Sequence, residues 1–198
     1  MAKKTNREKI LAHAARLFSR KGYQGTSMRD VASAAKVTLP TIYHYFGSKR
    51  NLYDEARIGI FNARSNKHMK HLFSDEEPSR QVHDYLLALA TDLMNDPLYY
   101  KLLHREMLEQ DKTGLKRLSE ESFKPGFEKM CEVLSKMSID RPPPKMTMTL
   151  YSLLFGLIST MRYGVFLDDS LLVYQTPEYL VRLTLERLIP EIDWPAAA

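Results

Sequence analysis

The side chains best suited to chemistry are gathered in one short run, TLPTIYHYFGSKRNL, residues 38–52. It holds the hydroxyls of Thr38 and Thr41, the phenols of Tyr43 and Tyr45, the imidazole of His44 and the cations of Lys49 and Arg50. This is a chemistry of recognition. Phenol and ammonium donors suit phosphate oxygens, and small hydroxyl, imidazole and methyl groups suit base edges. A catalytic site would have to be assembled from His83, His104 and Cys131, and no H-E-x-x-H or C-x-x-C spacing and no nucleotide-binding glycine loop accompanies them. His68 and His71, three residues apart, carry little metal signal alone. No enzyme activity, metal or cofactor is expected.

Charge points the same way. Residues 1–50 hold eleven Lys/Arg against Glu8 and Asp30, so this quarter carries +9 of a net +5 and the remainder carries −4. A basic head on an acidic body suits a polyanion partner bound at one end. With 198 residues, 44% apolar and 27% charged, the chain is long enough for a core without disulfides, and its single cysteine permits none within the chain. MAKKTNREKI has no apolar run of the signal-peptide kind. The apolar window 146–165 is interrupted by Thr147, Thr149, Ser152, Ser159, Thr160 and Arg162, which suits a buried helix better than a membrane span. A cytoplasmic location is expected.

The elements that must position these side chains are helical throughout. Apolar residues recur at three and four, and period-two alternation never persists. The expected fold is all-α with about nine helices: 7–21, 28–35, 39–45, 49–72, 80–95, 98–109, 115–137, 145–166 and 177–188. Ile10, Ala14, Leu17 and Phe18 form the inward stripe of the first. Ser27 or Thr26 caps the second, with Asp30 at N3. Thr38 caps the third, Pro40 fits its first turn, Gly47 ends it and Ser48 caps the fourth. A kink is expected near Lys124-Pro125-Gly126, and RPPP (141–144) reads as a stiff break.

Two short helices, 28–35 and 39–45, joined by only about three residues match the helix-turn-helix pattern, in which the second helix enters the DNA major groove. Ile42 and Phe46 face inward and leave Thr38, Pro40, Thr41, His44 and Tyr45 outward or sideways. Residues 7–53, ILAHAARLFSRKGYQGTSMRDVASAAKVTLPTIYHYFGSKRNLY being the matching part, resemble the N-terminal domain of the TetR (tetracycline repressor) family of bacterial transcriptional regulators. The order is an amphipathic helix, a phenylalanine before G-Y-x-G-T-S, a V-A-x-x-A helix and a T-I-Y-x-Y-F-x-S-K run. Lys36 stands where the family's turn often has glycine. The resemblance implies a DNA-binding domain at 1–50, a ligand-binding and dimerisation domain at 51–198, a homodimer, a double-stranded DNA operator and a small-molecule effector. It implies phosphate contacts by Tyr43, Lys49 and the amide end at Ser27 and Met28, and base approach by Leu39, Pro40, Thr41 and His44, with Thr38 also on the DNA-binding face. Arg29 is a guanine contact, a surface ion pair or a phosphate contact. Tyr45 contacts phosphate or packs across the fourth helix. Lys3, Lys4 and Arg7 read as a basic arm.

In the body, Met and aromatic side chains on 49–137 suit an adaptable apolar pocket. Phe61, His83, Leu86, Tyr100, Leu103, His104, Met107 and Phe127 are its expected lining, and His104-Arg105-Glu106 is an anchor for a polar ligand head or, through Arg105 and Glu109, a routine helix pair. On 145–166, Leu150, Leu154, Leu157 and Met161 form one stripe. Tyr151, Ser152, Phe155, Gly156 and Ser159, with Tyr179 and Leu183 of the last helix, are expected at the dimer surface. The expected function is a repressor released from a palindromic operator by a largely apolar molecule. Control by a protein partner and sequence-nonspecific DNA binding are the alternatives.

Overall fold

In a computed structural model of the chain, residues 5–108, 112–164 and 176–195 are described, apart from the side chains of 162–164. Lys3, Lys4, Glu109 and the side chain of Tyr163 therefore lie outside the described residues. The helices are α1 (Asn6–Lys21), α2 (Met28–Ala35), α3 (Leu39–Phe46), α4 (Lys49–Leu72), α5 (Pro78–Asn95), α6 (Pro97–Leu108), α7 (Lys112–Leu118), α8 (Lys124–Ser135), α9 (Pro143–Gly164) and α10 (Pro177–Leu188). Among the described residues there is no strand. One π-helical turn, Ser119–Phe123, joins α7 to α8, so the expected seventh helix is broken just ahead of Lys124-Pro125. Pro125 has no amide to continue an i→i−4 ladder, and the wider turn absorbs the mismatch.

Proline opens more helices than expected. α5 begins at Pro78, α6 at Pro97, α9 at Pro143 and α10 at Pro177. The first-turn amides have no intrahelical partner, so proline costs nothing there and its φ is already helical. This is why RPPP ends as the start of α9 rather than as a break.

The chain packs as two units, each discontinuous in sequence. One comprises the described residues up to Ala63 with Pro97–Ser122, and the other Arg64–Asp96 with the described residues from Phe123. In the first, Ile10, Ala14, Ala15 and Phe18 of α1 meet Val31, Ala32 and Ala35 of α2, Ile42 and Phe46 of α3, and Leu52, Tyr53 and Ala56 of α4. The α1 stripe is as expected, except that Leu17 is only partly buried and Ala15 takes the core position. α6 packs on α1 in the same unit.

In the second unit, α5, α8, α9 and α10 pack around Val82, Leu86, Ala90, Met130, Val133, Leu134, Leu180, Val181 and Leu185. The buried stripe of α9 runs Met146, Thr147, Leu150, Leu154, Ile158. It steps by four, so Ile158 occupies the place expected of Leu157. No helix among the described residues is long and apolar enough to cross a membrane.

Candidate nucleic-acid interface

The interface is built by caps. Thr5 and Glu8 close a capping box at the start of α1. α1 ends at Gly22, whose φ is 75°. A Cβ at Gly25 would stand 2.4 Å from the Lys21 carbonyl oxygen, so the connection to α2 excludes any side chain there. Thr26 is buried and its hydroxyl donates to the Gly22 carbonyl at 2.9 Å, which leaves Ser27 as the cap of α2. The Asp30 amide donates to the Ser27 hydroxyl at 3.0 Å and the Ser27 amide to the Asp30 carboxylate at 2.9 Å. The Ser27 amide foremost, and the Ser27 hydroxyl after it, hold the Asp30 carboxyl below its ordinary value of 3.8.

Lys36 ends α2 in the left-handed region at φ 55°, ψ 47°, the one non-glycine residue with positive φ among the described residues. Its amide bonds back to the carbonyl of Ser33, and that of Val37 to Ala32. The tight turn is made without glycine, at a cost of about 1 kcal/mol. α3 then starts at Thr38, whose hydroxyl accepts from the Thr41 amide and lies 2.8 Å from the Thr41 hydroxyl. Ile42 and Phe46 are buried. Thr38, Pro40, Tyr43 and His44 are exposed, Leu39 and Thr41 partly so, and Tyr43 keeps 48% of its surface in water. An eight-residue helix anchored by two side chains thus presents Pro40, Thr41, Tyr43 and His44 on an accessible, mostly polar face.

Arg29 and Ser27 are also exposed. Met28 is not: its side chain belongs to the core, so only its backbone amide is available at the end of α2. Tyr45 is 40% exposed, with its ring against His44 and Phe46. Arg7 is no free arm. It pairs with Glu55 of α4 and lies 5.6 Å from the centroid of Phe46.

A cation-aromatic cluster that sequence reasoning missed supports this face. Lys49 Nζ lies 4.4 Å from the centroid of Tyr23, and the Arg50 guanidinium 5.8 Å from Tyr23 and 5.9 Å from Tyr53. Tyr53 in turn packs edge-on against Phe18 and Tyr23. Tyr23 sits in the loop between α1 and α2. In the sequence it stands out only as the aromatic of the G-Y-x-G-T-S run.

The expected ligand residues divide between the units. Phe61, Tyr100, Leu103, His104 and Met107 belong to the first, and His83, Leu86 and Phe127 to the second. Phe61 is buried against Tyr99, the tilted rings of Tyr100 and His104 lie 4.2 Å apart, and Met107 is 63% exposed. His83 is buried, its Nδ1 2.8 Å from Asp84, and Leu86 lies in the core. The polar anchor expected at His104-Arg105-Glu106 is engaged inside the protein. Arg105 donates to the carbonyls of Ser19 and Arg20, and buried Glu106 accepts from Tyr53 and pairs with Arg57. Both oxygens of this buried carboxylate are thus engaged within the protein.

In the second unit His68 does not look for a metal partner in His71. It is buried, and its Nε2 lies 2.8 Å from Asp92, which Lys67 also reaches at 3.0 Å. Burial holds the imidazole below its ordinary 6.5 despite that carboxylate. Burial pushes Asp92 upward, but the bonds from His68 and Lys67 outweigh it and leave the carboxyl below 3.8. Among the described residues no group of three His, Cys, Asp or Glu is placed to hold a metal ion.

Of the expected dimer surface, Ser152 is exposed, and Phe155, Gly156, Ser159, Tyr179 and Leu183 are partly exposed. Tyr151 is likewise partly exposed. Its hydroxyl is 3.0 Å from that of Tyr85, because a phenol beside a buried phenol finds a partner there. Tyr179 and Leu183 line a surface concavity of about 410 Å³ with Arg182, Glu186 and Arg187.

Residues 10–56 match the family described as "Bacterial regulatory proteins, tetR family". The chain is 36% identical over 87 residues, 44% of its own length and 47% of the relative's, to the biofilm operon icaADBC HTH-type negative transcriptional regulator IcaR of Staphylococcus aureus (strain Newman). The match therefore spans about half the length of that relative. In fold it is similar to FadR of Bacillus subtilis, solved in complex with stearoyl-CoA, with a TM-score of 0.71 at 15% identity over 94% of this chain and 99% of that one. It is likewise similar to a transcriptional regulator from Saccharomonospora viridis in complex with choline, with a TM-score of 0.68 at 16% identity over 91% and 95%. At such identities the likeness concerns the fold.

Proposed function

The chain belongs to the TetR family of bacterial regulatory proteins, and on that premise we propose that it is a ligand-responsive repressor that leaves a palindromic operator when a small molecule binds its body. The observation that carries this reading is α3, anchored by Ile42 and Phe46 and open to water along Thr38, Pro40, Thr41, Tyr43 and His44. Residues 1–50 read DNA in this proposal. His44, Thr41, Pro40 and Leu39 approach base edges, Tyr43, Lys49 and the amides at Ser27 and Met28 hold phosphates, and Arg29 is the candidate for a guanine. One helix of this length reads too few bases for a genomic site, so two copies bind one helical turn apart or its multiples. Ser152, Phe155, Gly156, Ser159, Tyr179 and Leu183 are the proposed face of that dimer.

The repressor sense is supported by the negative regulator IcaR. Ligand control is supported by neighbours of the same fold that hold stearoyl-CoA and choline. One is a long-chain polyanion and the other a small cation, so effector chemistry follows the residues of each body and not the fold. The ligand must bind the DNA-free state more tightly for release to follow. The test is selection of bound sites from random duplex DNA, then screening for release from the selected site with acyl-CoA, choline and apolar aromatics as first probes. Enrichment of a palindrome and release by one class are expected. Binding without sequence preference would refute the reading.

A further inference from the structure

Arg57 is the bulkiest fully buried side chain among the described residues. A guanidinium removed from water needs carboxylates beside it, and two helices supply them. Asp54, one turn earlier on α4, places Oδ1 2.7 Å from Nη2, and Glu106, 49 positions later on α6, pairs with Nη1. The other oxygen of Glu106 accepts the Tyr53 hydroxyl at 2.7 Å. The next residue back, Arg105, donates from Nε to the Ser19 carbonyl at 3.1 Å and from Nη2 to the Arg20 carbonyl at 3.3 Å. The last turn of α6 therefore grips α1, which precedes the helix-turn-helix, and α4, which follows it. α3 is joined to α4 through Gly47 and Ser48 alone.

The cluster is poorly designed for stability. Arg57 Nε has no hydrogen bond, and Nη2 meets Asp54 as an ion pair without hydrogen-bond alignment. Apolar side chains of the same volume generally stabilise such a site as well or better. A planar guanidinium held between fixed carboxylates does supply a defined distance and rotation. We propose that Arg57 and Glu106, seconded by Arg105, are positioning residues for operator reading. They lock α4 to α6 and thereby set the direction in which α3 is presented. This rests on the DNA-binding reading above.

The test replaces the polar cluster by an apolar one, Tyr53→Phe/Arg57→Met/Glu106→Leu, and separately makes Glu106→Gln, which keeps the shape and the Tyr53 bond. Each full-length variant is measured for thermal unfolding, for affinity toward the selected operator, and toward operators with one or two base pairs added or removed between the half-sites. The triple variant is expected to lose about tenfold on the full operator, the effect of one mismatched base pair, and to discriminate less between spacings, with the unfolding measurement separating this from the loss of the partner of Asp54. Glu106→Gln is expected to flatten the spacing profile in the same sense. An unchanged spacing profile in both variants would overturn the inference, whatever happens to unfolding. A parent chain that selects no sequence overturns the DNA-binding reading itself, which is a separate result.

Discussion

The Lys49 ammonium stands over the face of the Tyr23 ring, 4.4 Å from its centroid. That contact ties the first residue of α4 to the loop that follows α1, and it holds a flexible side chain at the edge of the proposed DNA face. A cation placed over a phenol is attracted by the ring's negative face by about 0.5–1 kcal/mol where exposed, and it pays less entropy when it then meets a phosphate. Lys49→Ala is expected to weaken binding to all DNA sequences alike and to reduce the slope of log affinity against log salt by about 1. Tyr23→Leu should keep that slope while lowering affinity a few-fold. Titrations at three or four salt concentrations separate the two.

His44 is exposed on α3, one residue past Tyr43. In the proposed arrangement it meets base edges, whereas Lys49 meets backbone. His44→Ala should change which sequences are preferred and leave nonspecific affinity nearly unaltered, since base contacts specify and phosphate contacts position. A repeat of the site selection with the variant reads this directly. The same loss on every sequence would move His44 to the backbone.

Lys36 holds a left-handed backbone conformation, φ 55° and ψ 47°. Glycine adopts that conformation without the Cβ clash, so Lys36→Gly is expected to raise unfolding stability by about 1 kcal/mol. Denaturant titration checks it. A destabilised variant would mean that the lysine side chain contributes more to the head than its backbone costs.

The His68–Asp92 pair makes stability depend on pH. His68 titrates below 6.5 in the folded protein because burial disfavours its cation. The unfolded chain then binds the proton first, and stability falls as pH drops from above 6.5 toward the folded value. Asp92 acts lower down: its carboxyl is held below 3.8, and its contribution is lost as pH falls through that depressed value. His68→Gln should flatten the thermal midpoint between about pH 7 and 5.5, the window of the imidazole. An unchanged slope in the variant would remove His68 as its source.

What the residues alone determined is everything governed by neighbours within a turn or two. Ser27 with Asp30, Thr38 before Pro40, Gly47 before Ser48, and the i, i+4 pair Ile42 and Phe46 set α2, α3 and the start of α4, because caps and helical periodicity are local. The T-x-x-E box at Thr5–Glu8 is equally local. Lys36 was recognised as the odd residue of the turn, and the backbone there is left-handed as that position requires. Tertiary structure alone decided the partners of long charged side chains. Arg105 meets the carbonyls of Ser19 and Arg20, 86 and 85 positions back, and only the packing of α6 on α1 brings them within its reach. Glu106 could face a ligand or Arg57 at a separation of 49 residues, and Tyr23 could be a linker residue or the seat of Lys49. Those choices depend on which helices come together in space, and a burial pattern read along one helix does not carry that information.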